Sequence, residues 1–240
     1  MYKVLITTSG IGSRLGELTK DTNKSLIKVG DKTVISHIVE NYPDDVELVI
    51  TLGYHGRKVQ EFLQQTYPHR KFTFVNDTTW DKPEGGSLGR SMLEAKDYLQ
   101  CPFVFQCNDT IVKDPVPSPE KFNWNGGSKG LDPQIYNAAH LSSFIVKNGY
   151  MDVMNRKGAE VWDLFHIGLV GFKDYQAFWE ALEALYNQNT LDKTLNDCAA
   201  MQVMIKNGIR FKAVNFPHWY DTGNMDSLTH SRLILSDTAE

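Results

Sequence analysis

Gly10 and Gly12 follow a short apolar run, Val4 to Ile6, and precede four cations, Arg14, Lys20, Lys24 and Lys28. Glycines in a short loop let backbone N–H groups approach an anion with no side chain in the way. Over Thr7 to Lys28 (TTSGIGSRLGELTKDTNKSLIK) the combination suggests a polyphosphate site, met by a loop that opens a helix. Neither standard phosphate pattern fits. The P-loop needs four residues between its glycines and then Gly-Lys-Ser/Thr, and nothing of that form stands here. The dinucleotide pattern has Leu15 at its third position, Gly16 falls one residue late, and Asp31 sits in a Gly-Asp-Lys turn. A plain glycine turn between strand and helix has the same spacing.

A second group of candidates lies far along the chain. In open parallel sheets ligands sit beyond the carboxyl ends of the strands. Asn108 and Asp109 follow the apolar run from Pro102 to Cys107, and Trp219, Tyr220 and Asp221 follow the last extended run. Two acids at separate strand ends near a phosphate loop suggest Mg²⁺, which takes a couple of carboxylates together with substrate phosphates and waters. Asp109 is equally a turn residue before Thr110, and Asp221 equally a helix N-cap ahead of Met225 to Leu228. Cys101, Cys107 and Cys198 lack a C-x-x-C spacing and stand in apolar or helical contexts. They read as core thiols in a reduced compartment rather than a disulfide framework or zinc site.

These residues need a scaffold, and the chain supplies alternating strand and helix signals. Its 240 residues, 41% apolar and 22% charged, suit one α/β domain over 1–240. The net charge of −4 and pI near 6.0 argue against a general nucleic-acid or membrane-surface binder. No stretch approaches the roughly 18 apolar residues of a membrane span, and the N-terminus does not resemble a signal peptide, so a cytoplasmic location is expected. Strands are expected at Val46 to Thr51, Phe72 to Val75 and Pro102 to Cys107, with a short extended segment at Ser25 to Val29. Apolar stripes place helices after Thr33, around Val59 to Leu63 and from Leu88 to Leu99. Residues 113–137, with Pro115, Pro117, Pro119 and Pro133, read as a surface excursion. His140 to Val146 and Tyr150 to Asn155 read as a hairpin about Asn148-Gly149. Val161 to Phe172 is strand-like, helices follow at about 174–187 and 194–206, and Ile209 to Phe216 closes the series. Strand–helix repetition predicts a Rossmann-like, mainly parallel mixed sheet flanked by helices.

The ordered motifs resemble a family. Ser9-Gly10-Ile11-Gly12-Ser13-Arg14-Leu15, Leu18-Thr19, and Lys24 followed by Leu26, Val29, Gly30 and Lys32 are similar to the signature of the sugar-phosphate nucleotidyltransferases and their phosphocholine cytidylyltransferase relatives. Val49 to Tyr54 with Val59, Glu61 and Phe62 resembles the family's second strand and helix. Gly86-Ser87 resembles its base-contacting turn, and Asn108-Asp109 and Trp219-Tyr220-Asp221-Thr222-Gly223 occupy its two metal-acid positions. Asn23 stands where the family has Pro, removing a φ restraint, and Thr8 and Ser9 stand where two alanines are common.

The resemblance implies the nucleotide-diphospho-sugar transferase fold and a reaction in which a nucleoside triphosphate and a phosphate monoester give a nucleoside diphosphate derivative and pyrophosphate. It implies Arg14 on the leaving pyrophosphate, Lys24 on the α-phosphate or incoming phosphate, and Asp109 and Asp221 on Mg²⁺. Thr8, Ser9, Gly10, Gly12, Ser13, Gly85, Gly86, Ser87 and Asn108 would bind the nucleotide. CTP is the implied nucleotide and L-glutamine phosphate the favoured acceptor, in capsule or surface polysaccharide synthesis; phosphocholine and sugar 1-phosphates are alternatives. The acceptor side, a variable stretch of about 113–160 and beyond, offers Arg156, Lys157, Trp162, His166, Trp219 and Tyr220, with Lys129 as a further carboxylate partner. Aromatics at such spacings also occur as core. A GT-A glycosyltransferase would present Asp-x-Asp where this chain has Cys107-Asn108-Asp109, and a non-catalytic nucleotide-binding regulator would have lost Arg14, Lys24 or one acid.

Overall fold

Strands that are apolar at nearly every position must be covered on both faces, and the computed structural model of this chain shows how. It describes residues 1–240 except 84, 131, 133, 134, 137, 138, 140 and 238–240. The first half runs β1 (Lys3–Thr7), 3₁₀ stretches at Ser13–Thr19 and Lys24–Leu26, β2 (Lys28–Val29), β3 (Lys32–Thr33) and α1 (Val34–Val39). It continues with β4 (Glu47–Leu52), α2 (Gly56–Thr66), β5 (Phe72–Asn76), α3 (Leu88–Glu94), β6 (Phe103–Cys107) and β7 (Thr110–Val112). The second half holds β8 (Asn123–Ser128), β9 (Ser143–Lys147), β10 (Tyr150–Asn155), β11 (Leu164–Phe172), α4 (Tyr175–Gln188) and α5 (Asp197–Lys206). β12 (Phe211–Asn215), β13 (Trp219–Asp221) and α6 (Met225–Asp237) end it.

Nine strands form one mixed sheet in the order β5-β4-β1-β6-β11-β8-β12-β10-β9. β5, β4, β1 and β6 are parallel, β11 runs antiparallel to β6 and β8, and β12 is parallel to β8. Because side chains alternate along a strand, Val4, Ile6, Leu48 and Ile50 pack on one face with residues of α1, α2 and α6. Leu5, Val49, Phe103 and Phe105 pack on the other with Met92, Phe178, Trp179 and Met201 from α3, α4 and α5. Among the described residues no helix is long and apolar enough to cross a membrane.

Four differences from the sequence reading have physical causes. No α-helix follows the first glycine loop: Ser13–Thr19 is 3₁₀, broken where Gly16 takes φ 54°. Of the segment Ser25 to Val29, expected as extended, only β2 is a strand; Ser25 and Leu26 belong to a 3₁₀ turn, Lys24–Leu26. Residues 113–137 are not all surface, because β8 lies fully buried between β11 and β12. Its glycines, which read as loop, are required by packing: a Cβ on Gly127 would stand 2.5 Å from the Phe144 ring and one on Gly126 2.7 Å from the Leu169 carbonyl oxygen. The expected last strand is followed by β13, which pairs with β7 in a separate two-stranded ladder. The Asn148-Gly149 turn joins β9 to β10 with both residues at positive φ, 52° and 79°, as a type I′ hairpin requires. His140 and Pro133, used in the sequence reading, lie outside the described residues.

Candidate active site

The loop after β1 is tied to β4 before any ligand is considered. Thr8 donates from both N and Oγ1 to the Thr51 carbonyl, at 3.1 and 2.6 Å, and Ser9 Oγ donates to Thr51 Oγ1 at 3.0 Å. Gly12 takes φ 72°, a conformation open to glycine, and Lys24 crosses so closely that a Cβ there would stand 3.2 Å from Lys24 Cβ. Asn23 stands in for the missing proline. It holds φ −77° and ψ 144°, close to the proline value. Its Nδ2 donates to the carbonyls of Thr8 (2.8 Å) and Tyr54 (2.6 Å), and its Oδ1 accepts from Ser25 N (3.0 Å) and Oγ (2.8 Å). Side-chain hydrogen bonds replace the ring and aim Lys24 along the loop.

The two acids meet through the small β7–β13 ladder. Asp221 pairs with Thr110, and Thr222 donates from N (2.9 Å) and Oγ1 (3.2 Å) to the Asp109 carbonyl. Asp109 is thus more than a turn residue, and Asn224 rather than Asp221 caps α6, accepting from the N–H groups of Asp226 and Ser227 at 3.0 Å. Lys24 Nζ lies 2.8 Å and Arg14 Nη2 3.9 Å from Asp109 Oδ2. Gly223 marks where the groups converge: a Cβ there would stand 3.2 Å from Asp109 Oδ2, 3.2 Å from Asp221 Oδ1 and 3.3 Å from Arg14 Nη2.

Electrostatics follow from this clustering. Burial disfavours the charged form of Asp109, but Lys24 and then Arg14 outweigh it and hold the carboxyl below its ordinary value. Burial also opposes the Lys24 ammonium, and Asp109 reverses the sign, so its pKa is raised. Asp221 feels Arg14 only weakly and has no ammonium bonded to it as Asp109 has. Burial, and then the Asp109 charge, push it up to about 6. Two buried carboxylates facing one point, one of them short of positive charge, are an all-oxygen donor set that suits a hard divalent cation such as Mg²⁺.

Beside this cluster opens a cleft of about 440 Å³, and the structure brings Ser9, Gly10, Gly12, Ser13, Arg14, Lys24, Gly86, Ser87, Asn108 and Asp109 to its walls. Thr8 and Gly85 stand outside that lining. Ser87 Oγ is committed as the N-cap of α3, accepting from Arg90 N at 3.1 Å. Asn108 is 1% exposed, yet among the described residues neither its Nδ2 nor its Oδ1 has a partner. Buried amides are ordinarily satisfied, so this one is aimed at something the protein alone does not supply. Trp80 also lines the cleft, edge-on to Tyr54 at 5.7 Å. Sequence reading missed it, although an aromatic just before a glycine-bearing loop was the available signal.

A larger cavity of about 1010 Å³ opens on the other side of Arg14, between α6 and the segment around Tyr136, and Asp221 and Lys157 line it too. The remaining acceptor candidates are placed elsewhere. Trp219 and Tyr220 are buried in the core, Trp219 with its ring 4.9 Å from Tyr136. Trp162 stacks on Phe165 at 4.1 Å, Arg156 is exposed away from the lining, and His166 is buried against Asp197. Tyr136, Asn224 and His230 line the cavity and carried no motif in the sequence.

No family model matches the chain. Among curated proteins it is 22% identical over 239 residues to "Bifunctional protein GlmU" of Methanocaldococcus jannaschii, covering 97% of this chain and 54% of that protein. It is 33% identical over 116 residues to a Bacillus subtilis protein described as "Probable glucose-1-phosphate cytidylyltransferase", covering 40% of this chain and 45% of that one. The chain thus spans about half the length of these curated relatives. A crystal structure of UDP-glucose pyrophosphorylase complexed with UDP-glucose superposes with a TM-score of 0.79 at 16% identity over 99% of each chain. The fold is the Rossmann-like nucleotide-diphospho-sugar transferase fold.

Proposed function

We propose that this protein is a Mg²⁺-dependent nucleotidyltransferase that joins CTP to a small phosphate monoester, releasing pyrophosphate and a CDP derivative. L-glutamine phosphate is the favoured acceptor, which would make the protein a CTP:phosphoglutamine cytidylyltransferase serving capsule or surface polysaccharide synthesis; phosphocholine or a sugar 1-phosphate is the alternative. The observation that carries the reading is the convergence of Arg14, Lys24, Asp109 and Asp221 beside a cleft holding an unpartnered buried amide, Asn108. CTP as donor rests on the sequence resemblance and on the printed description of the Bacillus subtilis relative.

Attack by the acceptor phosphate on the α-phosphorus forms one P–O bond and breaks the bond to the departing pyrophosphate. Two anions must be brought together, so positioning and charge neutralisation carry the catalysis. Lys24 sits deepest, held by Asp109, and in this reading swings from that carboxylate to the α-phosphate or incoming phosphate. Arg14, exposed at the junction of cleft and cavity, faces the pyrophosphate or the acceptor in this reading. Asn108 offers one donor and one acceptor to the nucleotide. Asp109 and Asp221 would hold Mg²⁺, which would supply positive charge against that of the phosphates. Lys157 on the larger cavity gives an acceptor carboxylate a cation to meet. Pyrophosphate release measured with each nucleoside triphosphate against a panel of phosphate monoesters tests the reading. Stoichiometric release with CTP and glutamine phosphate is expected. Release with none of the pairs would defeat it.

A further inference from the structure

A second constellation lies on the face of the sheet covered by α3, α4 and α5. His166 projects from β11, and Asp197 and Cys198 are the first two residues of α5. Their ligating atoms all lie within 4.8 Å of one another. The sequence offered no metal spacing for Cys198, because a spacing criterion finds only ligands that are neighbours along the chain; here strand and helix packing assembles them.

The decisive detail is a contact of the right length and the wrong direction. His166 Nδ1 lies 2.9 Å from Asn125 Oδ1, an acceptor, so Nδ1 carries the proton and donates. Asn125 Nδ2 in turn points to Met151 Sδ at 3.4 Å, which fixes the amide orientation. His166 Nε2, which bears a lone pair in the neutral ring and a proton in the imidazolium, faces Asp197 Oδ2 at 3.0 Å. Two electron-rich atoms at that distance need a positive charge between them. A proton on Nε2 would make the contact an ion pair, but the approach does not meet hydrogen-bond geometry, so among the described residues Asp197 Oδ2 has no hydrogen-bond partner although Asp197 is only 3% exposed. A metal ion accepts a bent arrangement of donors, because each donor points at the ion and not at its neighbour. Tetrahedral zinc with bonds of roughly 2.0–2.3 Å sets its donors about 3.3–3.8 Å apart, within small adjustments of the observed cluster.

We propose that His166, Asp197 and Cys198 form a second metal site, separate from the Asp109–Asp221 pair, that takes a borderline-soft divalent ion of the zinc class with three protein ligands and one open position. The donor types separate the two sites. Thiolate and imidazole select zinc-like ions, whereas carboxylates alone suit Mg²⁺. Asn125 plays the part that outer hydrogen-bond partners play around ligating histidines, fixing tautomer and ring orientation. The site is structural in placement. β11 continues into Ile167, whose carbonyl accepts from Thr110 Oγ1, and Gly168, which packs on Cys107. An ion clamping α5 to β11 therefore braces the turn that carries Asp109.

The test uses the full chain, stripped with chelator and reloaded with Zn²⁺ or Co²⁺ in the presence of excess Mg²⁺. One equivalent of zinc should remain after dialysis, and the cobalt form should show thiolate-to-cobalt charge transfer with intense tetrahedral ligand-field bands. Cys198→Ser should abolish the charge transfer, and Cys101→Ser should leave it unchanged. Asn125→Ala should weaken zinc binding about 10–100-fold, with recovery in Asn125→Asp. Circular dichroism of each metal-free variant reports folding, and Asp197→Asn, which should also lose the equivalent of zinc, serves if Cys198→Ser does not fold. Substoichiometric zinc in the wild type, charge transfer that survives Cys198→Ser, or charge transfer lost instead with Cys107→Ser would overturn the site.

Discussion

The cleft behind the first loop and the cavity beside α6 share Arg14, yet they are built in opposite ways. In the smaller, about 440 Å³, the reactive groups are already engaged with one another: Lys24 on Asp109, Asn23 on three neighbouring segments, Thr8 and Ser9 on Thr51. In the larger, about 1010 Å³, Lys157 is exposed and forms no ion pair among the described residues. Groups that meet charge developing in a transition state gain from being fixed in advance. Groups that recognise one acceptor among many can remain loose and pay the ordering cost on binding. On the proposed function, the chemistry belongs to the first side and the choice of acceptor to the second.

The sharpest way to break that contrast is Lys24→Ala. Removing one preorganised donor costs about 2.7–4 kcal/mol, or roughly 10²–10³ in kcat. The loss should appear in steady-state pyrophosphate release whatever the acceptor, with an unchanged circular dichroism spectrum. A variant that retains near-normal kcat would remove the chemistry from the cleft.

Asn23 tests whether the rigidity is built by side chains. In Asn23→Ala the Thr8 and Tyr54 carbonyls and Ser25 N lose their partner, at a cost of about 1–3 kcal/mol in urea unfolding. Asn23→Pro suits the observed φ of −77° and restricts the unfolded chain, which returns about 0.4–1 kcal/mol, but it restores no tether. The proline variant should therefore fall between wild type and alanine. Stability at or above wild type would show that the backbone restraint alone suffices.

Lys157→Ala examines the other side. As an exposed cation it should contribute on the order of 1 kcal/mol or less, read as a rise of a few-fold in acceptor KM. The KM for CTP should not move. A parallel rise in both constants would merge the two regions into one site.

The same division explains what the sequence revealed. Strands read from continuous apolar runs were legible, because burial on both faces leaves a composition signal, as in β1 and β6. Arg14, Lys24, Asp109 and Asp221 were singled out through the ordered resemblance, since on local signal alone Asp109 read equally as a turn residue and Asp221 as a helix cap. β8 was hidden, since its Gly126 and Gly127 serve close packing and read as turn residues. The β7–β13 ladder was hidden too. Its strands are three residues each and separated by more than a hundred positions, so pairing, and with it the meeting of the two acids, exists only in the fold. Trp219 and Tyr220 were misplaced toward the acceptor for a related reason: the motif that carries Asp221 to the site buries the aromatics preceding it.

The smallest effect concerns His37, which joins the segments carrying the two partners of the cleft. From α1, its Nε2–H donates to the Val29 carbonyl at 2.8 Å, just beyond the Lys24 turn. Its Nδ1 accepts from Lys113 Nζ at 3.0 Å, just beyond β7 and Asp109. Accepting from Lys113 requires the neutral ring, whereas the Val29 bond survives protonation and favours the charged form. Burial first, then the nearby Lys113 and Lys32 charges, outweigh the Val29 bond and hold the pKa below its ordinary value. The unfolded chain takes up a proton near pH 6.5 while the folded ring does so only at lower pH. Stability from this group is therefore complete above about pH 6.5 and is lost as pH falls through the folded value. Melting temperatures of wild type and His37→Gln, compared from pH 7.5 to 5, should diverge toward acid, with wild type losing more because glutamine does not titrate. Hydrogen exchange should quicken at Val29 and Thr110 before it does along α6; parallel melting profiles for the two proteins would detach His37 from the rigidity of the cleft.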